Sequence, residues 1–87
     1  MSEKMILYVR DLCGYCEMVK DVVLELGSDI EERNIWENSD WEQQLVEARG
    51  SSTVPVLYRE KADGKGEWLA ESDAIIRYLI QNSDSAD

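Results

Sequence analysis

Histidine is absent from this chain, and proline, cysteine and basic residues are scarce. Without an imidazole there is no Cys–His dyad, no histidine general base and no ligand set for most catalytic zinc sites. Two cysteines in 87 residues are too few for a disulfide-stapled secreted scaffold, so the expected address is cytoplasmic. No apolar run approaches the ~20 residues that span a bilayer, and residues 1–8 carry no signal-like basic and apolar regions. Nine basic residues against 19 acidic ones leave a net charge of -10. Such a surface repels nucleic acid, whose phosphates require cations. The expectation is therefore no nucleic-acid partner and no membrane.

What is present suits a small globular protein. The hydrophobic fraction is 44%, ordinary for a folded chain. A length of 87 residues supports one core, so 1–87 reads as a single domain, ordered over about 4–80 with polar ends.

The apolar pattern changes period along the chain. KMILYV, Lys4–Val9, is a nearly continuous apolar run that suits a strand covered on both faces. Met18, Val19, Val22, Val23 and Leu26 recur at helical spacing, and Gly27 supplies the stop. Residues 29–34 read as a second strand. Ser39 and Glu42 form a capping-box pattern ahead of a helix lined by Trp41, Leu45 and Ala48, which Gly50 ends. Residues 55–59 and 67–70 read as strands joined by the ADGKG turn at 62–66. Ser72 reads as the cap of a last helix whose Ile75, Ile76, Leu79 and Ile80 face the core. The order βαβαββα predicts an α/β fold, a four-stranded mixed sheet with helices on both faces in a thioredoxin-like layout. Trp36, Trp41 and Trp68 are read by default as packing residues, with a protein-partner surface as the alternative.

Both cysteines lie in VRDLCGYCEMVK, residues 9–20, where the first strand hands over to the first helix. Cys13 is expected at the N-cap, exposed, with Gly14, Tyr15 and Cys16 forming the first turn. Unpaired backbone N–H groups and the positive end of the helix macrodipole meet there and favour a thiolate. Cys16 sits further inside, three residues on and close enough to resolve a mixed disulfide. A lone C-x-x-C is weak evidence by itself. A structural zinc site needs two more ligands, which this chain lacks, and a bridge across so short a loop stabilises little in a reducing compartment. Redox chemistry is the favoured reading.

YVRDLCGYC, followed by GSSTVPVLY, resembles the glutaredoxin family over roughly residues 4–80. The resemblance implies a glutathione-dependent thiol–disulfide oxidoreductase with Cys13 as nucleophile and Cys16 as resolving thiol. It implies a cis proline at Pro55, the chain's one proline, after Thr53 and Val54; Val54 would pair its backbone with the cysteinyl unit of glutathione. By the same resemblance, Arg10 stands where the family has a lysine, to meet the glycyl carboxylate, with Arg49 as a second candidate. Tyr15 would flank the bound tripeptide.

Two departures qualify the resemblance. Gly14 replaces the proline of the common C-P-Y-C motif. Family members with a small residue there include some that bind a [2Fe–2S] cluster between two subunits, so Cys13 as an iron–sulfur ligand in a cluster-bridged dimer is the alternative reading. A non-catalytic glutathione-binding module is another. The final LAESDAIIRYL is similar to the N-terminal domain of glutathione S-transferases; there a Glu-Ser pair holds the γ-glutamyl group, which makes Glu71, Ser72 and Asp73 candidates. The expected partners are glutathione and glutathionylated or disulfide-containing proteins, with the chain a monomer.

Overall fold

The computed structural model describes residues 4–27, 29–60 and 64–84, with side chains up to residue 81. The elements run β1 (Lys4–Val9), α1 (Gly14–Leu26), β2 (Glu31–Asn34), α2 (Ser39–Arg49), β3 (Val56–Glu60), β4 (Gly66–Leu69) and α3 (Ser72–Asp84). The predicted βαβαββα order is what forms. Strands lie in the order β2-β1-β3-β4. β1 pairs parallel with β2, and the β1–β3 and β3–β4 pairs are antiparallel.

The continuous apolar run of β1 follows from its central place. Successive side chains point to opposite faces, so Leu7 and Val9 enter one core cluster while Ile6 and Tyr8 enter the other. β3 divides in the same way, Leu57 to the first cluster and Val56 to the second. The first face is covered by α1 through Val19 and by α3 through Ile75 and Leu79. On the second face α2 contributes Leu45 and Trp41, and Trp68 lies against Tyr58 and Tyr8 with ring centroids 4.7 and 5.7 Å apart. The edge strand β2 reads EERN and exposes Glu31 and Glu32, charges that discourage pairing with another chain. Among the described residues no helix is long and apolar enough to cross a membrane.

Several local expectations shift. The cap of α2 is Asn38, whose side chain accepts the Asp40 N–H at 2.9 Å, so Ser39 is already helical. Ser72 is likewise the first helical residue of α3, because the Ile75 N–H donates to the Glu71 carbonyl at 2.9 Å. Ala48 is exposed on α2, and Met18 and Ile80 keep 48% and 46% of their surface. The helical faces are narrower than the apolar spacing implied, since each helix covers only part of a four-stranded sheet. β2 is two residues shorter than predicted, for neither Asp29 nor Ile30 pairs with β1. Of the 62–66 turn, Ala62 and Asp63 lie outside the described residues. Gly66 is part of β4, where a Cβ would come within 2.5 Å of the Tyr58 ring. That glycine is required by close approach rather than by a turn.

α2 depends on a single fully buried side chain, Leu45. Polar ties assist it: the Tyr8 hydroxyl donates to Gln44 Oε1 at 3.3 Å, and the Arg33 guanidinium lies 5.8 Å from the Trp41 ring centre. Leu45→Ala should therefore cost about 2–5 kcal/mol in urea unfolding. Val46→Ala, one residue on at a position 40% exposed, should stay within about 0.5 kcal/mol.

Candidate functional site

The site begins where β1 runs out. Arg10, Asp11 and Leu12 turn the chain into α1, and Leu12 takes φ 57, in the left-handed region. Arg10 braces the turn from within: its Nη1 donates to the carbonyls of Asp11 at 2.9 Å and Leu12 at 3.2 Å. Its guanidinium carbon lies 5.2 Å from the centre of the Trp36 ring, within cation–π range. Asn34, at the end of β2, completes the bracket. Its Nδ2 donates to Asp11 Oδ1 at 3.0 Å, and its Oδ1 accepts the Trp36 N–H at 2.9 Å.

Cys13 follows in extended conformation, φ -120 and ψ 107, and is the N-cap of α1. Its sulfur accepts the Cys16 N–H at 3.2 Å, and its carbonyl accepts the Glu17 N–H at 3.1 Å. The sulfur thus does what a serine or aspartate oxygen does at other helix starts, accepting a backbone N–H of the first turn. Both thiols are free. Cys16 is fully buried, and burial, followed by its hydrogen bond with Cys13, pushes its pKa up to about 12. The Arg10 backbone N–H and charge act in the opposite direction but do not prevail. The two sulfurs are unequal: one caps a helix, the other is held as a neutral thiol in the core. Cys13 is not exposed as the sequence suggested. It keeps only 6% of its surface and is a core member, because the cap position faces the junction of β1, α1 and α3.

That same cluster collects much of the predicted site. Val54 packs against the group containing Cys13, Cys16 and Ile75, and the Val54–Pro55 bond is cis. Among the described residues, neither the N–H nor the C=O of Val54 has a backbone partner. Ile75, fully buried in the first turn of α3, brings the Glu71–Ser72–Asp73 segment to the same corner, with Glu71 and Asp73 exposed. Arg59 secures α3 from the far side, its Nε donating to Glu67 Oε1 at 2.7 Å and its Nη1 to the Tyr78 hydroxyl at 2.6 Å. Tyr15 stands 65% exposed on the first turn of α1. Thr53 is exposed and its Oγ1 accepts from the Ser51 hydroxyl at 3.3 Å. Arg49 is exposed in the last turn of α2, and among the described residues no hydrogen bond or ion pair ties it to this corner. Trp36 is no packing residue: it is 54% exposed beside Arg10. The roles of Trp36, Asn34 and Leu12 carry no sequence signal, since each depends on where β2 ends relative to the cysteine loop.

Among the described residues no three Cys, Asp or Glu side chains stand together as metal ligands. Cys16 is buried and Cys13 is nearly so. An iron–sulfur cluster held by one copy therefore lacks its ligand set among the described residues, whereas one bridged between two copies would take only Cys13 from each.

The Cys16 thiol makes stability depend on pH. Its pKa rises from 9.0 unfolded to about 12 folded, so above pH 9 the unfolded chain releases a proton that the folded chain retains. The stabilising contribution is complete below pH 9 and declines toward pH 12. Under reducing conditions this group should lower unfolding free energy by about 1.4 kcal/mol per pH unit in that window. Urea titrations from pH 8 to 11 should give a shallower decline for Cys16→Ala than for the parent chain.

Comparison with known proteins places this geometry. The glutaredoxin family model matches residues 5–65. Among curated proteins the sequence has no match. Solved structures share the fold over nearly all of the chain, α3 included. Maleylacetoacetate isomerase from Anaeromyxobacter dehalogenans 2CP-1 superposes with a TM-score of 0.72 at 26% identity, covering 95% of this chain and 38% of that one. Glutathione transferase Omega 2S from Trametes versicolor gives 0.74 at 18% identity, covering 99% and 39%. A thioredoxin-like protein gives 0.70 at 23% identity, covering 90% and 97%. The chain thus spans about two-fifths of the isomerase and transferase, matching their thioredoxin-fold N-terminal domain. Because the family match runs from the second residue of β1 to the threshold of β4, with both cysteines and the cis proline inside it, the chain belongs to the glutaredoxin family.

Proposed function

We propose that the chain is a cytoplasmic, glutathione-dependent thiol–disulfide oxidoreductase that reduces protein–glutathione mixed disulfides and protein disulfides. The observation that carries the reading is the inequality of the two sulfurs: Cys13 caps α1 and accepts a backbone N–H, while Cys16 is buried with its pKa pushed up to about 12. A thiolate at a helix cap attacks, and a sheltered neutral thiol waits.

In the proposed cycle, the Cys13 thiolate attacks the glutathione sulfur of a mixed disulfide. The bond to the target sulfur breaks, and the target leaves as a thiolate that takes up a proton. A second glutathione thiolate then attacks the sulfur of the glutathione held on Cys13. Glutathione disulfide departs and the Cys13 thiolate is restored. With a protein disulfide, Cys13 attacks one sulfur and releases the other as a thiolate. Cys16, after yielding its proton, attacks the Cys13 sulfur, frees the reduced target and leaves a Cys13–Cys16 disulfide. Two glutathiones reduce that bond while forming glutathione disulfide.

Glutathione as the co-substrate is supported by the Anaeromyxobacter isomerase, which has been solved with glutathione and with dicarboxyethyl glutathione in its active site. In this chain Val54 offers an N–H and a C=O to the cysteinyl unit in strand fashion, next to Thr53 and the cis Pro55. Glu71, Ser72 and Asp73 receive the γ-glutamyl end, where the start of α3 favours a carboxylate. Tyr15 flanks the tripeptide, and Arg10 and Arg49 supply charge for its glycyl carboxylate.

Cys13→Ser should abolish turnover of a glutathionylated peptide, whereas Cys16→Ser should retain it and lose mainly the reduction of protein disulfides. Equal loss in both variants would remove the assignment. A second measurement addresses the α3 end. Ser72→Ala with Asp73→Ala should raise the glutathione concentration at half-maximal rate roughly tenfold, as expected for a lost hydrogen bond to a charged group. The same pair should cost about 1 kcal/mol of stability or less, because these are first-turn positions and Glu71 precedes them.

A further inference from the structure

Leu12 breaks two local rules at once. Its φ of 57 lies in the left-handed region, which costs a residue with a Cβ roughly 1–2 kcal/mol and which glycine or asparagine adopts more readily. Its side chain is 89% exposed, so no packing within the chain offsets that cost. A large apolar side chain here serves neither the turn nor the core, yet it sits next to the cysteine that caps α1. Local rules broken without an internal gain mark functional positions.

It is not isolated. Tyr15, on the other side of Cys13, is 65% exposed, and Trp36 is 54% exposed. Trp36 is fixed to the cysteine loop twice, by the Arg10 guanidinium over its ring and by the Asn34 bridge to Asp11. Leu12 and Tyr15 flank Cys13 in the chain and Trp36 is tied to the same loop, so three large exposed side chains border the cysteine turn. Two of them are aromatic anchors of the kind that dominate binding surfaces. The charges beside the turn are mixed, with exposed carboxylates outnumbering the two cations Arg10 and Lys20. Asp11, Glu17 and Glu37 are exposed, while Arg10 is turned onto loop carbonyls and Lys20, one turn further on, pairs with Glu17 and Glu32. With -10 on the whole chain, an acidic partner is repelled and a basic one steered in.

We propose that Leu12, Tyr15 and Trp36 form a docking collar for a protein partner whose reacting cysteine lies in a cationic, apolar segment. This deepens the oxidoreductase reading and rests on it for the reaction, though not for the binding. A second copy of the chain is the wrong occupant, since its own carboxylates would meet these.

The test uses the full chain and two short peptides, one with lysine and leucine around a central cysteine, the other with glutamate and leucine. Each is made with serine in place of the cysteine for binding, and glutathionylated for turnover. The mixed disulfide of glutathione and free cysteine is the small reference substrate. In an NMR titration the basic serine peptide should shift the signals of Leu12, Tyr15 and Trp36, with affinity falling as salt rises. Its glutathionylated form should show kcat/KM at least about tenfold above the acidic peptide at low salt, the lower bound for electrostatic steering. Leu12→Asn keeps a residue that tolerates the left-handed turn. It should lower the ratio of basic-peptide to small-substrate kcat/KM roughly tenfold without lowering Tm, and Leu12→Met should restore the ratio. Equal use of both peptides, an unchanged ratio in Leu12→Asn, or concentration-dependent shifts at the collar without peptide would each overturn the proposal. Binding of the basic peptide at the collar with no turnover of any mixed disulfide would uphold docking and remove the oxidoreductase reading instead.

Discussion

The hydrogen bond from the Cys16 N–H to the Cys13 sulfur sets where α1 begins, and the remainder of the corner depends on that starting point. A helix leaves its first N–H groups without internal partners, and here a sulfur receives one of them in a buried setting. Because the cap is a core residue, the start of α1 cannot slide along the sequence without pulling Cys13 and Cys16 out of the cluster they share with Val9, Leu57 and Ile75. Chemistry and packing are therefore coupled. The sulfurs are held as small apolar groups in the core, and the same burial that stabilises the fold keeps Cys16 protonated.

The two faces of the sheet divide the work. The face covered by α1 and α3 carries the cysteines, Val54 and the start of α3. The opposite face has one helix, seated by Leu45 and completed by a stack of Tyr8, Tyr58 and Trp68. Val54 packs against both clusters. The residue that presents backbone groups beside the cysteines is thus fixed by packing from above and below the sheet, although it lies outside any strand. Gly66, at the far end of the β3–β4 pair, answers a different demand, the room taken by Tyr58.

Much of this fold was legible from apolar period alone. β1 announced itself because a central strand is covered on both faces, and Gly27 and Gly50 marked the ends of α1 and α2 because each takes positive φ there. The paired cysteines at a strand-to-helix junction located the site for the same reason. What could not be read were features set by tertiary position. Asn38 and Ser39 are both good caps by composition, and only the chain's path shows that Asn38 takes the role. Met18 and Ile80 fit the helical period, but their faces extend beyond the sheet they cover. Cys13 looked exposed because a cap lies at a helix end; its burial comes from α3, far along the chain. Trp36 looked like core because tryptophan usually is, and nothing in the sequence tells that Arg10 and Asn34 hold it against the cysteine loop.

The charge balance gives the corner its last constraint. A chain of -10 has few cations to place at a site that must favour negative charge on sulfur. Arg10 binds the loop carbonyls through Nη1 and lies over Trp36, so its charge stands beside the loop rather than on the sulfur. The remaining source is the backbone. Cys16 in the first turn of α1 and Ile75 in the first turn of α3 belong to one cluster, so two helix starts meet at the same place. Each contributes unpaired N–H groups and the positive end of a macrodipole. Glu17 and Asp73, in those same first turns, oppose part of that field at the rim, where solvent screens them. Inside, Cys13 keeps 6% of its surface and its sulfur accepts the Cys16 N–H, so it is a backbone donor rather than a side-chain cation that meets it. An acidic protein can in this way meet a buried sulfur with backbone donors while its carboxylates stay at the surface, and that separation by depth is what its mixture of helix starts and surface carboxylates achieves.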